Sequence, residues 1–383
     1  MRYKRLFQVF SEGRKSMVRS GRGPLNSRRW FRFVYLVAPT AVLALVALVA
    51  MQFHRPTPFN LSLTVKGVSF TNSADTQIAS KLLFSDITLD RITHAELTGG
   101  LLEPAHAGSV DDHSASRANE VKIQVDQLPT GGATLLFFMQ SRIAPSGFVE
   151  RLDVPSGART SIAVTDTQPA QLSVSILDRP AQFGMQFPGE VRVQVVHARV
   201  SGLPTDNDGT FHVSSKDAPS VFSVYATGSA ALSTIQLTPR RMDPPEKVIM
   251  TSGMEISTLE FLKLNSTGPI LSTIAGDGNI FVGGRDHGSA IAVKPGDYVV
   301  LAGLNKFYVQ GLVFDPERGT IQIEAGGDVR SLRSGPAGET RERTLTWLDY
   351  LWNAAWSIRL FTIITWGATT SAGAYTLIRK VQS

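Results

Sequence analysis

The chain has 383 residues, a formal net charge of +6, 43% hydrophobic and 18% charged residues, 33 Gly, 20 Pro and no Cys. The absence of cysteine excludes disulfides, zinc-thiolate centres, iron–sulfur clusters and cysteine nucleophiles, and the hydrophobic fraction is too high for an intrinsically disordered chain. The length suits two domains, or one large β domain with appendages.

The positive charge is concentrated at the start. Residues 1–32 hold ten Lys/Arg against Glu12 alone, a net of +9, so the remainder sums to −3. This basic arm directly precedes nineteen uncharged residues, Phe33 to Met51, rich in Val, Leu and Ala. As a helix they would rise roughly 28 Å, one hydrocarbon core. We therefore expect a transmembrane helix over 33–53, with Pro39 in its first turns, where a missing amide donor costs least. Lys and Arg on the N-terminal flank put residues 1–32 in the cytoplasm. Ser27-Arg28-Arg29-Trp30-Phe31 also resembles the front of a twin-arginine export signal. Against a cleaved signal stand Arg32 and Phe33 after the motif, the length of the apolar run, and alanines spaced every third residue at 41, 44, 47 and 50.

Residues 54–327 carry 21 Lys/Arg and 27 Asp/Glu, a net of −6. Their texture is short β-branched and aromatic runs broken by Gly, Pro, Asn and Asp. Period-2 alternation appears at Leu61-x-Leu63-x-Val65, Val121-x-Ile123-x-Val125, Leu172-x-Val174-x-Ile176, Val191-x-Val193-x-Val195 and Ile321-x-Ile323, the mark of half-buried strands. Shorter runs lie at Leu135–Phe138, Val221–Tyr225, Lys247–Met250, Ile280–Val282, Tyr298–Leu301 and Phe307–Phe314. Turn chemistry separates them, as at Pro129-Thr130-Gly131-Gly132 and Lys294-Pro295-Gly296-Asp297. The fold class is therefore mainly β: an extracytoplasmic, β-sandwich-like region between two transmembrane helices, divided near 180 or 240, with an elongated β-helix or solenoid as the alternative. Residues 104–119 read as a loop. Phe137, Phe138, Phe211, Phe222 and Phe314 read as core.

Within this region no constellation reaches a catalytic or metal-binding signature. The seven histidines never take metal-ligand spacing, and Asp111-Asp112-His113 reads as a polar turn. Asp206-Asn207-Asp208-Gly209 would place Pro204 and Ser215 where a calcium loop needs carboxylates. Gly276-Asp277-Gly278 lacks the third glycine of a dinucleotide loop, since Phe281 stands there. Glu255 with Glu260 and Asp315 with Glu317 are carboxylate pairs without a defined pocket. With no Trp between 54 and 343, a sugar-stacking platform is poorly supplied. No cofactor is expected.

Beyond 327 the composition predicts a flexible tether over 328–343, an interfacial amphipathic helix over 344–358, a second transmembrane helix over 359–378 and a cytoplasmic tail, 379–383. Leu360 to Ile378 is again nineteen residues without charge, and Gly367 with Ser371 has the small-x-x-x-small spacing of packed membrane helices. All five Trp lie in or beside the two apolar segments, as expected of a ring that prefers the bilayer interface. The membrane-interface residues are thus Arg28, Arg29, Trp30 and Arg32 at the first segment, and Trp347, Trp352, Trp356, Arg359, Arg379 and Lys380 at the second.

Together these features point to an integral protein of a bacterial inner membrane with both termini cytoplasmic and residues 54–343 periplasmic. The expected partners are anionic headgroups, other membrane or envelope proteins and a second copy of the chain; no nucleic acid is expected. The expected role is a non-enzymatic scaffold or accessory subunit of a cell-envelope assembly. An envelope-glycan ectoenzyme, or a sensor signalling through the basic arm, are the alternatives.

Overall fold

A computed structural model of the chain describes residues 56–79, 82–103, 120–128, 131–139, 147–167, 170–189, 191–202, 210–214, 221–239, 247–251, 253–263, 271–283 and 289–344. Strands make up 77% of them and no helix occurs among them, so the mainly-β expectation holds.

In chain order the strands are β1 Thr57–Val65, β2 Gly67–Asn72, β3 Thr76–Ala79, β4 Leu82–Glu103, β5 Glu120–Gln127, β6 Ala133–Met139, β7 Gly147–Val154 and β8 Arg159–Val164. There follow β9 Leu172–Leu177, β10 Gln182–Pro188, β11 Val191–Val196, β12 Ala198–Ser201, β13 Thr210–Ser214, β14 Val221–Gly228, β15 Leu232–Pro239 and β16 Val248–Thr251. The last are β17 Met254–Glu260, β18 Leu262–Lys263, β19 Leu271–Ser272, β20 Gly278–Val282, β21 Ser289–Val293, β22 Tyr298–Asp315, β23 Thr320–Gly335 and β24 Arg341–Glu342.

The 22-residue β4 organises the first part. Along one edge it pairs in turn with β7, β6 and β5; along the other it meets β15, β14 and β13. Because β7 pairs β10 and β10 pairs β14, one hydrogen-bonded circuit closes through β4. A second closes through β6, β11 and β13. A strand this long can serve six neighbours only by bending, and its buried positions change phase accordingly: Leu82 and Phe84, then Ile87 and Leu89, then Ile92, then Ala95 and Leu97. Each change coincides with a register shift, between Phe84 and Asp86 opposite β15, between Leu89 and Ile92 opposite β6, and between Ile92 and His94 opposite β14. An extra residue at each bulge returns the next side chain to the core. Arg91 takes a positive φ of 58° at the middle bend, and Gly132 lies against it so closely that a Cβ there would be 2.5 Å from the Arg91 Cα.

From β15 the ladder runs on through β9, β8, β2, β17, β22, β23, β1, β20 and β21. Here the long element is the β22–β23 hairpin, closed by residues 316–319. Tyr298–Leu301 and Phe307–Phe314, which read as separate runs, are one continuous strand.

One hydrophobic cluster runs through the strands. Phe137 stacks on Phe187 at 4.9 Å between centroids, Phe187 meets Phe222 at 6.0 Å, and Phe59 stacks on Phe307 at 5.2 Å. Phe314 is also buried, whereas Phe138 is only half-buried.

Three expectations are corrected. Every ladder among the described residues is antiparallel, so the coil-on-coil parallel pairing of a β-helix is not the architecture. Neither 180 nor 240 is a boundary, since His54–Leu345 forms one compact unit; β9 and β15, on either side of 180, pair with each other, and β2 ties β8 to β17. Residues 328–343 are not a tether. β23 continues to Gly335, and β24 folds back onto it. Glycine, serine and arginine there conceal the pattern, because this stretch is held by backbone pairing to β22 and by side-chain hydrogen bonds, with Val329, Leu332 and Ser334 turned inward.

Candidate functional site

None of the ten interface residues, Trp30, Arg28, Arg29, Arg32, Trp347, Trp352, Trp356, Arg359, Arg379 and Lys380, falls among the described residues, and the same is true of both apolar segments, residues 104–119, Phe211's side chain and the Asp206–Gly209 turn. No helix of the described residues is long and apolar enough to cross a membrane. Among the described residues no group of three His, Asp or Glu is arranged to hold a metal ion.

The remaining motifs have local structural roles. The buried carboxylate of Asp315 accepts the amides of Glu317 at 3.2 Å and Arg318 at 3.1 Å, closing the β22–β23 turn. Gly278 lies against β1, where a Cβ would stand 2.7 Å from the Ser62 carbonyl oxygen. Its absence of side chain serves close strand packing, with no phosphate cradle formed. Lys294–Asp297 is a turn closed by the Asp297 amide on the Lys294 carbonyl at 3.0 Å.

On the outer face of β5, β4 and β14, His94 donates through Nδ1 to Asp126 Oδ1 at 2.6 Å, while its Nε2 stands 3.8 Å from Glu96 Oε1. An imidazole between two carboxylates is not placed to activate a hydroxyl nucleophile, which would need the second ring nitrogen free for it. Tyr225, 50% exposed, stands opposite Glu96 and Gly184 on this face.

Inside the fold, Asn72, Thr160 and Ser233 are buried, and both Asn72 amide atoms and the two hydroxyl oxygens have no hydrogen-bond partner among the described residues. Phe70, Thr160, Ile176 and Ser233 stand side by side across β2, β8, β9 and β15. Asn72 follows two residues beyond Phe70 on the same face. Each such orphan costs about 1–3 kcal/mol unless water reaches it.

The feature with the clearest functional geometry is where the ends of the described chain meet. β1 begins at Thr57, opposite Val329 of β23. β24 lies on that same edge of β23, pairing Arg341 with Ser334 and Glu342 with Arg333, and the Arg343 amide donates to the Leu332 carbonyl at 2.7 Å. The outgoing chain therefore runs toward the incoming one along a single edge. Only Arg330 and Ser331 separate their positions on β23, roughly 7–10 Å at strand spacing. Gly303 makes room beside Arg330: its φ is +65°, and a Cβ there would lie 2.8 Å from the Arg330 Cβ.

Glu342 locks this junction. Its carboxylate accepts from Ser331 Oγ at 3.0 Å, from the Leu332 amide at 3.2 Å, and from the hydroxyl and amide of Thr344. Partial burial pushes its pKa up, but the hydrogen bonds from Thr344, Ser331 and Leu332 outweigh it and hold the carboxyl below the usual range. Asp86, in β4, is displaced the other way: burial raises it against hydrogen bonds from Ser85 and the Met139 amide.

Arg330, Arg333 and Arg341 around the junction are exposed. Sequence reasoning passed over all three because it placed them in a tether; the apolar Val329 and Leu332 within that stretch were the available signal. Comparison with known proteins finds no matching protein family, no matching curated protein and no matching solved structure.

Proposed function

We propose that this chain is an anchored scaffold or accessory subunit of a cell-envelope assembly, holding a β-sandwich-like domain on the outer side of a bacterial inner membrane. The observation that carries the reading is the meeting of Thr57 and Thr344 on one edge of β23. An apolar segment long enough to span lies six residues before Thr57, and another begins sixteen residues after Thr344. First and last strands that leave from one place suit a domain held between two spans, because both connections then start on the same side. Tethered at both ends, the domain stays close to the bilayer, and its antiparallel ladders offer edges and flat faces to neighbouring subunits.

The absence of native cysteine makes the topology test clean. In intact spheroplasts, Ile249→Cys, 68% exposed in the wild type, should react with a membrane-impermeant maleimide. Ser11→Cys and Gln382→Cys should react only after lysis. Labelling of either terminus in intact cells would overturn the two-span arrangement. Gentle purification from native membranes then tests the role: a stoichiometric hetero-complex supports the scaffold, and a lone monomer removes it.

A further inference from the structure

We propose that Lys306, Arg330, Arg333 and Arg341 form a collar that binds the headgroups of anionic phospholipid at the base of the domain. The inference rests on the membrane-anchored reading above and specifies how the domain meets the bilayer. All four side chains are exposed, and among the described residues no carboxylate lies within ion-pair distance of any of them. They surround the junction: Arg330 follows Val329, the partner of Thr57; Arg333 and Arg341 flank the β24 pairing; Lys306 lies in β22 where it passes Gly327.

The nearby acids are Asp328, Glu339, Glu342 and, one strand beyond Val300 from Arg333, the exposed Glu260. Glu342 is occupied by the hydrogen bonds of Ser331, Leu332 and Thr344, Asp328 is half-buried opposite Asn305, and Glu339 is exposed in the turn before β24. Four arginines against three acids give residues 328–344 a net of +1, whereas residues 54–327 sum to −6. The junction is thus a basic spot on an acidic domain. Val300, 41% exposed, pairs with Arg333, and exposed Ala302 pairs with Ser331. Apolar contact beside arginine suits the headgroup layer, where the aliphatic stem is buried and the guanidinium stays with phosphate.

Chain length supplies the proximity. From Met51, the end of the first apolar run, to Thr57 is six residues, at most about 20 Å when fully extended. The headgroup layer itself is roughly 5–8 Å deep on each side. A domain on so short a leash, leaving from this spot, presents the collar to phosphate.

The test uses the full chain in lipid nanodiscs, with a fluorophore on Ala302→Cys and a headgroup spin-labelled lipid as quencher. Integration is checked by carbonate resistance and folding by thermal melting. Discs of phosphatidylcholine with phosphatidylglycerol should quench the reporter several-fold more than phosphatidylcholine alone. The R330Q/R333Q/R341Q variant should lose that difference, about fivefold in lipid affinity per arginine removed, while R330K/R333K/R341K retains it. Equal quenching in both lipids, or an unchanged glutamine variant that melts normally, overturns the collar and leaves the anchored reading standing. Failure of the chain to resist carbonate overturns both. Loss of a co-purifying protein from the glutamine variant with quenching unaltered would make the patch a protein interface and reject the lipid.

Discussion

The β4-centred ladders and the β22–β23 hairpin both rest on strands far longer than the five or six residues typical of sheets, yet they reach that length by different means. β4 is pinned by six partners drawn from residues 120 to 239 and stays amphipathic by inserting a bulge wherever it passes from one partner to the next. β22 and β23 are sequence neighbours closed by a four-residue turn, and each supplies most of the other's pairing. The first depends on loop closures across the domain, and the second can form locally. The difference teaches that a long strand needs either a chain of distant partners or one adjacent partner. The first and last described strands, β1 and β24, meet on the self-sufficient one.

Core truncations should break the comparison most severely. Phe307→Ala removes the ring stacked on Phe59, and Leu89→Ala empties a fully buried site in β4; we expect about 3–5 and 2–5 kcal/mol respectively, read by denaturant unfolding. One shared transition for both variants would show that the regions unfold as one cooperative unit. Separate transitions would show that the hairpin stands without the β4 ladders.

Backbone strain gives the next largest effect. Gly99, at φ +84°, would place a Cβ 2.5 Å from the Val221 carbonyl oxygen, whereas Gly253, at φ +76°, has open space around it. Gly99→Ala should therefore destabilise by more than the roughly 1–3 kcal/mol of a strained φ alone, and Gly253→Ala by an amount within that range. Equal melting temperatures for the two variants would contradict the close packing of β4 on β14.

The two regions should also answer pH with opposite sign. Glu342's lowered pKa means that its stabilisation is present above the ordinary glutamate value, about 4.3, and is lost as pH falls through the lower folded value. The protection factors of the Leu332 and Arg343 amides, their exchange corrected for the intrinsic rate at each pH, should therefore fall on acidification, and Glu342→Gln should show that lower protection already at neutral pH. Asp86's raised pKa favours folding while it is protonated and opposes folding once it ionises. Asp86→Asn should leave neutral-pH stability equal or higher. The smallest effect belongs to the buried orphans: Thr160→Val, of nearly the same shape, should change stability by less than about 1 kcal/mol or raise it. A large loss would place an ordered water on the Thr160 hydroxyl.

Much of the strand inventory was legible in the residues. The alternations at Leu61–Val65, Leu172–Ile176, Val191–Val195 and Ile321–Ile323 are buried on the expected phase in β1, β9, β11 and β23. The largest element was not legible. β4 escaped because its four bulges reset the period-2 pattern every few residues, so that no window shows clean alternation. The junction escaped for a related reason: Arg330 to Arg343 has the composition of a linker, and its pairing comes from β22 and from Glu342's hydrogen bonds.

By itself, then, the sequence determined the β class, the absence of thiol chemistry, the acidic middle between basic ends and the presence of two uncharged nineteen-residue segments. These are properties of composition and short-range periodicity, which need no knowledge of partners. Tertiary structure alone decided the antiparallel circuits through β4, the single compact unit, and the meeting of the first and last strands on one edge of β23. Those depend on which distant backbone donors and acceptors find one another, and hydrogen bonds between peptide groups carry no mark of their partner in the side-chain sequence.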